Sequence, residues 1–394
     1  MNAARSNKSQ GLIGSISKTA AAAGAALAGV GVGAIALAQD EAEAHATNGL
    51  SMLPAETALA TEVHFFHNAI LMPIITVISL FVLGLLLWVV VRYNSKANPT
   101  PQKFSHNTLI EVIWTGIPIL ILLVIALFSF DLLYKEDVIP DGKQMIAEGD
   151  GSTTTFAFDN DFASPNRRVT RRSHLQVFVE SDGAQRKLES NAYDVEGLGD
   201  AQINVTLNGA PAVGDKVIIR GGRTLVGRGE AREVALAPSL TLKVNGYQWG
   251  WSYSYPDFGD FEYASNMLPE DQTTPALYRL EVDNRVIVPV GETVRVVTTA
   301  RDVIHSWAMP NFAIKIDAVP GRINETWFKA NREGVFYGQC SEICGIKHSF
   351  MPIAVEVVSR AEFEAWVDEQ RAFVGLDPMF VNDADGKLAM ADGQ

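Results

Sequence analysis

Cysteine is almost missing from this chain: two residues in 394. A C-x-x-C-H pattern is missing altogether, which excludes a covalently attached c-type haem. Positive charge is in deficit, with 32 Lys and Arg against 45 Asp and Glu and a net charge of −13. That balance argues against nucleic-acid binding and suits a partner with a basic face, drawn in by long-range attraction. What the chain does have is concentrated. Both cysteines fall in one short stretch, Cys340-Ser-Glu-Ile-Cys344-Gly-Ile-Lys-His348-Ser-Phe-Met351.

The N-terminus reads as a secretory signal over residues 1–38. Arg5, Lys8 and Lys18 precede an Ala/Gly-rich apolar run over 19–38, and Ala36-Leu-Ala38 before Gln39 is a small-x-small cleavage site. A third membrane helix is the alternative, although so much Ala and Gly is weakly hydrophobic on insertion scales. Two uncharged runs, 69–91 and 112–130, each reach about the 20 residues that cross a bilayer as a helix. They predict membrane helices over 67–92 and 111–135, preceded by a segment over 39–66 and joined by a loop over 93–110. Pro73 and Pro118 sit near the start of their runs, where a lost amide donor costs least. Arg92, Lys96 and Lys103 mark the connecting loop, whereas Asp40, Glu41, Glu43, Glu56 and Glu62 precede the first span. The positive-inside rule places the loop in the cytoplasm and both long flanks outside.

The remainder splits into an insertion over 141–236, a β-rich domain over 237–373 and a loose polar tail over 374–394. In the β-rich domain Leu240, Leu242 and Val244 alternate with other residues, as do Val286, Val288 and Val290, and Ile353, Val355 and Val357. Many short strands with turn signals between them predict a sandwich or barrel. Ser359-Arg-Ala-Glu362 is a capping box that opens one closing helix. The insertion has strand-like pieces at 175–179 and 217–220 and a basic cluster of Arg167, Arg168, Arg171 and Arg172. It reads as a small β subdomain or a partly ordered segment of unknown role. Tyr247, Trp249, Trp251, Tyr253 and Tyr255 recur at period two, which on a single strand places all five rings on one face.

Thiolate, imidazole and thioether together are the soft ligand set that selects copper. Cys340, Cys344, His348 and Met351 place all of these on one loop. His305, which follows a β-rich run, is the best candidate for a second imidazole. Two alternatives remain at this point. A disulfide between cysteines four apart is possible but leaves His348 and Met351 unexplained. A structural zinc site prefers four Cys and His donors, and Met is a poor zinc ligand.

The motif, with Gly-Gln before Cys340 and Pro352 after Met351, resembles that of cytochrome c oxidase subunit 2. The likeness extends through Leu280-Glu-Val-Asp283-Asn-Arg285, His305-Ser-Trp307-Ala, Asp317-Ala-Val-Pro-Gly-Arg322 and Glu111-Val-Ile-Trp114-Thr, covering roughly residues 60–140 and 238–373. The resemblance implies a two-helix transmembrane hairpin carrying an all-β, cupredoxin-like Greek-key barrel, with the insertion between them. It implies a bacterial-type inner membrane, with the N-terminus and the C-terminal domain in the periplasm. His305, Cys340, Glu342, Cys344, His348 and Met351 are then metal residues of a binuclear copper centre, CuA, with Glu342 contributing its backbone carbonyl. The Glu342 carboxylate is expected to reach a magnesium ion shared with oxidase subunit 1.

The same resemblance makes Trp249 the residue that passes electrons inward from cytochrome c. Asp283, Asp302 and Trp251 become candidates for docking that partner, and Glu111 a candidate entrance for proton uptake. As an alternative, Glu111 is a carboxylate stabilised by the helix dipole. Subunits 1 and 3 of the oxidase, cytochrome c and membrane lipid are the implied partners, with no nucleic acid. The reaction implied is electron transfer from cytochrome c through the copper pair to haem in subunit 1, for oxygen reduction coupled to proton translocation. Two positions depart from the family pattern: Gly250 stands where an aromatic residue is usual, and Ser254 where an acid is usual. A quinol oxidase subunit, which lacks the cysteines, a copper-delivery protein, and nitrous oxide reductase, which adds a propeller domain, are the rival readings.

Overall fold

The computed structural model describes residues 52–100, 103, 105–161, 168–181, 184–229, 232–382 and 388–390. The signal-peptide reading over 1–38 lies outside the described residues. Two helices, Ala58–Arg92 and Thr108–Asp137, are long and apolar enough to cross a membrane, and their apolar windows are not buried by the rest of the chain. That suits helices whose solvent is lipid.

The first helix starts at Ala58 rather than near residue 67. Thr57 caps it, accepting from the Ala60 amide at 3.0 Å and donating to the Phe312 carbonyl at 3.0 Å. Ala58, Leu59, Ala60 and Glu62 are buried. A helix of 35 residues is ~52 Å long, well beyond the ~30 Å hydrocarbon core. Its first turns therefore leave the bilayer and pack on the soluble part. Pro73 consequently lies inside the helix, not at its start. A π-helical stretch, Phe66–Leu71, precedes it, a local widening of the kind that absorbs a break in the hydrogen-bond ladder. Pro118 is also interior, because Asn107 caps the second helix well before it, accepting from Ile110 N–H at 3.3 Å. The far end of this helix is fixed to the soluble part. Trp327 Nε1 donates to the Lys135 carbonyl at 2.9 Å, and Thr326 Oγ1 to the Glu136 carbonyl at 3.2 Å.

The insertion is an ordered β unit with its own core. Its strands are β1 (Lys143–Glu148), β2 (Thr155–Asp159), β3 (Leu175–Ser181), β4 (Ala184–Lys187), β5 (Tyr193–Glu196), β6 (Gln202–Leu207) and β7 (Lys216–Gly221). They form one sheet in the order β1-β7-β3-β4 and another in the order β2-β6-β5. Phe156, Phe158, Leu175, Val177, Ile203, Val205, Val217 and Ile219 fill the space between. Buried Asn160 staples the unit by exchanging bonds with both the amide and the carbonyl of Val169. A ribbon, β8 (Leu225–Val226) with β9 (Glu233–Val234), follows. Val226, Ala58, Ala235 and Trp327 form a small apolar junction where insertion, membrane helix and second β domain meet.

The second β domain contains β10 (Leu240–Tyr247), β11 (Gly250–Ser254), β12 (Glu262–Ser265), β13 (Val286–Pro289), β14 (Thr293–Ala300), β15 (His305–Met309), β16 (Ile314–Ala318), β17 (Asn324–Lys329), β18 (Gly334–Cys340) and β19 (Pro352–Val358). Two five-stranded sheets result, β12-β11-β10-β14-β17 and β13-β19-β18-β15-β16. β10 with β14, and β13 with β19, pair parallel while their neighbours pair antiparallel. This is the cupredoxin-like Greek-key barrel the resemblance implies, on a two-helix transmembrane hairpin. The alternating Leu240, Leu242 and Val244 point into its core, as do Val286 with Val288 and Ile353 with Val355.

Three local expectations change. The five-ring stripe is not one strand face, because β10 ends at Tyr247 and β11 begins at Gly250. Trp249 sits in the hairpin turn, while Trp251, Tyr253 and Tyr255 are fully buried. Trp251 therefore presents no surface to a partner; its Nε1 donates to the Met351 carbonyl at 3.2 Å. The tail is not wholly loose: Phe380–Asn382 pairs with Leu388–Met390 as β20 and β21, and Phe380 is buried against the closing helix, Arg360–Phe373. That helix carries the expected capping box, Ser359 with Glu362.

Candidate metal centre

The 340–351 loop is the connection between β18 and β19, held over the end of β15. Trp307 pairs with Cys340 across β15 and β18, and Ser341 N–H bonds the Ser306 carbonyl at 2.9 Å. This register brings His305, at the start of β15, beside Cys340. The His305 ring lies on Gly246, where a Cβ would come within 2.9 Å of it. Gly345 has φ +121°, and a Cβ there would stand 3.0 Å from the Trp249 ring. Only glycine permits the loop to turn so close to that indole. The turn carries a second brace: the Cys344 carbonyl accepts from Gln248 Nε2 at 2.8 Å and Trp249 Nε1 at 3.2 Å.

The donor atoms converge. Cys340 Sγ lies 3.9 Å from Cys344 Sγ, 3.9 Å from His305 Nδ1 and 3.4 Å from the Glu342 carbonyl. Cys344 Sγ lies 3.4 Å from His348 Nδ1 and 3.5 Å from Met351 Sδ. Both cysteines are free thiols and buried, which removes the disulfide alternative. Two sulfurs each ~2.3 Å from a shared metal ion sit about this far apart. Two thiols, two imidazoles, a thioether and a carbonyl form a donor set that fits copper and exceeds what one tetrahedral zinc takes. Glu342 is half-buried, and its carboxylate makes no ion pair among the described residues.

Electrostatics separate the two thiols. Burial pushes Cys340 up, but hydrogen bonds from His305 and the loop backbone outweigh it and bring the group below the ordinary thiol value. Burial and then the neighbouring Cys340 push Cys344 above the ordinary thiol value. Burial opposes charge on His305 as well, but Cys340 and Asp302 raise it above the ordinary histidine value.

Asp302, a candidate for partner docking, also has an inward role. Its Oδ1 lies 2.9 Å from His305 Nε2, and its Oδ2 accepts from Gln248 N–H at 2.7 Å. A carboxylate on the outer ring nitrogen fixes the orientation that aims Nδ1 at Cys340. Nothing in the sequence marks this role; the contact with His305 Nε2 does. Asp283 is exposed and accepts from the Asn266 amide at 2.7 Å. Asn266 in turn accepts from Tyr247 Oη at 2.7 Å, and this phenol occupies the space over Gly250, 2.6 Å from where a Cβ would be. That explains why no large side chain stands at Gly250. Ser254 is buried. Glu111 lies in the first turn of the second membrane helix, remote in sequence from the metal loop, and its Oε1 accepts from Asn107 N–H at 3.3 Å. Gln248 is a site residue that the sequence does not single out; a glutamine within the aromatic alternation is the only hint of it.

Comparison with known proteins gives consistent results. The family model for the periplasmic domain of cytochrome c oxidase subunit II matches residues 240–358, and that for its transmembrane domain matches residues 45–132. The probable cytochrome c oxidase subunit 2 of Rickettsia felis is 38% identical over 315 residues, spanning 80% of this chain and 69% of that protein. The cytochrome c oxidase subunit 2 of Cereibacter sphaeroides is 31% identical over 341 residues, spanning 82% of this chain and 80% of that one. The solved periplasmic domain of subunit II of cytochrome oxidase from Bradyrhizobium japonicum is 52% identical, covers 34% of this chain and 96% of its own, and superposes with a TM-score of 0.33. This chain is a membrane protein and belongs to the cytochrome c oxidase subunit 2 family.

Proposed function

We propose that this chain is the electron-receiving subunit of a cytochrome c oxidase. It takes electrons from cytochrome c at a binuclear copper centre, CuA, and hands them to haem in subunit 1, where oxygen reduction is coupled to proton translocation. The observation that carries this reading is the convergence of His305, Cys340, Cys344, His348 and Met351 donor atoms at 3.4–3.9 Å separations, with the Glu342 carbonyl among them. The copper pair, when bound, supplies a one-electron carrier. The chain's own residues hold it in a frame that barely moves. Cys340 is anchored on β18, and His305 on β15 is clamped by Asp302. Met351 is tied to Trp251, and the 341–347 turn to Gln248 and Trp249. Electron transfer favours such rigidity because little has to reorganise when the charge changes.

Trp249 is the uptake residue. Its indole is half-buried in the hairpin turn and touches the metal loop through the Cys344 carbonyl. Asp283, and the outward edge of Asp302, offer carboxylates to the basic face of cytochrome c. The Glu342 carboxylate is a hard oxygen donor of the type magnesium takes, next to the thiol cluster, and reaches toward subunit 1. Glu111 takes up protons on the cytoplasmic side, with the β domains in the periplasm of a bacterial inner membrane; subunit 3 completes the complex. A copper-delivery protein would need thiols that a partner can reach, whereas Cys340 and Cys344 are only 6% and 3% exposed.

The test is an oxidase assembled with this chain and fed reduced cytochrome c. It should consume oxygen, and Cys344→Ser should stop cytochrome c oxidation while the subunits still assemble. Undiminished oxidation by the Cys344→Ser complex would refute the reading. In the same complex Glu111→Gln should slow turnover at unchanged copper content.

A further inference from the structure

The insertion brings a basic cluster to the membrane end of an acidic chain. A cavity of about 500 Å³ lies between it and the end of the second membrane helix, lined in part by Tyr134, Lys135, Arg171, His174 and Arg223. Two carboxylates, Asp131 and Asp141, also line it. Asp131 is paired with Lys135 at 2.8 Å, and Lys135 also meets Glu62 at 2.7 Å. Arg171 and Arg232 make no ion pair among the described residues. Positive charge is crowded here: burial and then Arg171, Arg232 and Arg223 together depress the basicity of His174.

The height of the cavity identifies what it faces. The uncharged run of the second helix ends at Phe130, and Asp131 is the next residue. The cavity floor is therefore within one helical turn, ~5 Å, of the hydrocarbon edge. The first helix gives the same level. Gly227 N–H donates to Glu62 Oε1 at 2.7 Å, and the Arg228 guanidinium stands 3.5 Å over the Phe65 ring. Phe65 is four residues before the first uncharged run, which is ~6 Å along the axis. Tyr134 and Phe65 occupy the depth at which aromatic side chains mark the membrane–water interface. Guanidinium groups gathered at that depth present the fork that matches phosphate oxygens.

We propose that this cavity binds the phosphate of an anionic phospholipid headgroup, with Arg171 and Arg223 as its principal contacts. The insertion is thus a collar that seats the metal domain on the lipid surface. Its polar contacts lie outside the copper site, and its occupancy is independent of electron transfer.

The experiment uses the full-length protein in nanodiscs of phosphatidylcholine with a minor share of phosphatidylglycerol, followed by release and native mass spectrometry. The wild type should retain phosphatidylglycerol in preference to phosphatidylcholine. Arg171→Glu and Arg223→Glu should each lower that retention about fivefold or more, the scale expected for a juxtamembrane cation. Arg186→Glu, the same charge change on β4 and outside the cavity, should retain lipid as the wild type does. Resistance of residues 141–236 to proteolysis reports the fold of each variant; if the charge reversals misfold, Arg171→Gln and Arg223→Gln replace them. Equal retention by wild type and cavity variants, or no preference between the two lipids, would overturn the proposal. So would displacement of the lipid by millimolar inorganic phosphate, which would make the site one for free anion. Variants that lose oxidase assembly but keep their lipid would assign the cluster to a protein partner instead.

Discussion

The chain builds two β domains by different means. The insertion packs a core made largely of branched aliphatic side chains and two phenylalanines between small sheets, and places its charged residues outside. The metal domain packs tryptophan and tyrosine rings, two thiols and two thioethers into one continuous core, with His305 fully buried beside them. In the first, the only fully buried polar side chain among the described residues, Asn160, ties down backbone, and no charged group enters the core. In the second, the reactive donors are part of the core, so whatever stabilises the barrel also positions the site. The difference teaches where mutations should divide: core changes in the insertion act on stability, and core changes at the end of β15 and β18 act on chemistry.

The largest break in that comparison is Cys344→Ser. It removes the thiol that faces both His348 and Met351, and copper content measured on the purified chain should fall from two ions to one or none with the barrel intact. Next is Phe158→Ala, at a fully buried position in the insertion. It should cost about 3–5 kcal/mol of insertion stability, seen as early proteolysis of residues 141–236, while the copper spectrum stays that of the wild type. A lost spectrum would show that the two domains are not separable.

Asp302→Asn tests the clamp on His305 and should weaken copper affinity about 10–100-fold, the usual effect of removing an outer-ring partner. Uptake should also depend on pH with a defined sign. Cys344, raised by burial and by the neighbouring Cys340 above the ordinary thiol value, holds a proton that copper must displace, and His305, raised above its ordinary value, competes for one more as the pH falls. Affinity should therefore rise with pH and fall with acid, by at least about tenfold per pH unit near neutrality for one displaced proton. A titration flat in pH would contradict this. The smallest structural effect belongs to Trp249→Phe. Gln248 still holds the Cys344 carbonyl, so the copper spectrum should be unchanged while electron uptake from cytochrome c slows in stopped flow. Unchanged kinetics would remove Trp249 from the path.

Legibility in the sequence follows the same division. The metal loop is readable because few residue types bind copper and they fall within twelve positions of each other. His305 is reachable because β-branched runs locate its strand, and Ser359 with Glu362 because a capping box is local. The start of the first helix is hidden although Thr57 stands in plain view; burial of Ala58, Leu59 and Ala60 against the soluble part decides it, and that is a tertiary fact. Trp251 misleads because period-two alternation continues unbroken through a tight hairpin, so Tyr247 and Trp251 look like one strand when they lie on two paired ones. The insertion shows only fragments at 175–179 and 217–220, because an aliphatic core accepts many sequences and advertises none. The inward role of Asp302 requires the distance to His305 Nε2.

The most direct measurement is the electron paramagnetic resonance spectrum of the full-length chain loaded with copper. The account predicts two copper ions per chain with the unpaired electron shared equally between both nuclei. One ion per chain, or a spectrum in which the electron sits on a single copper nucleus, would contradict it.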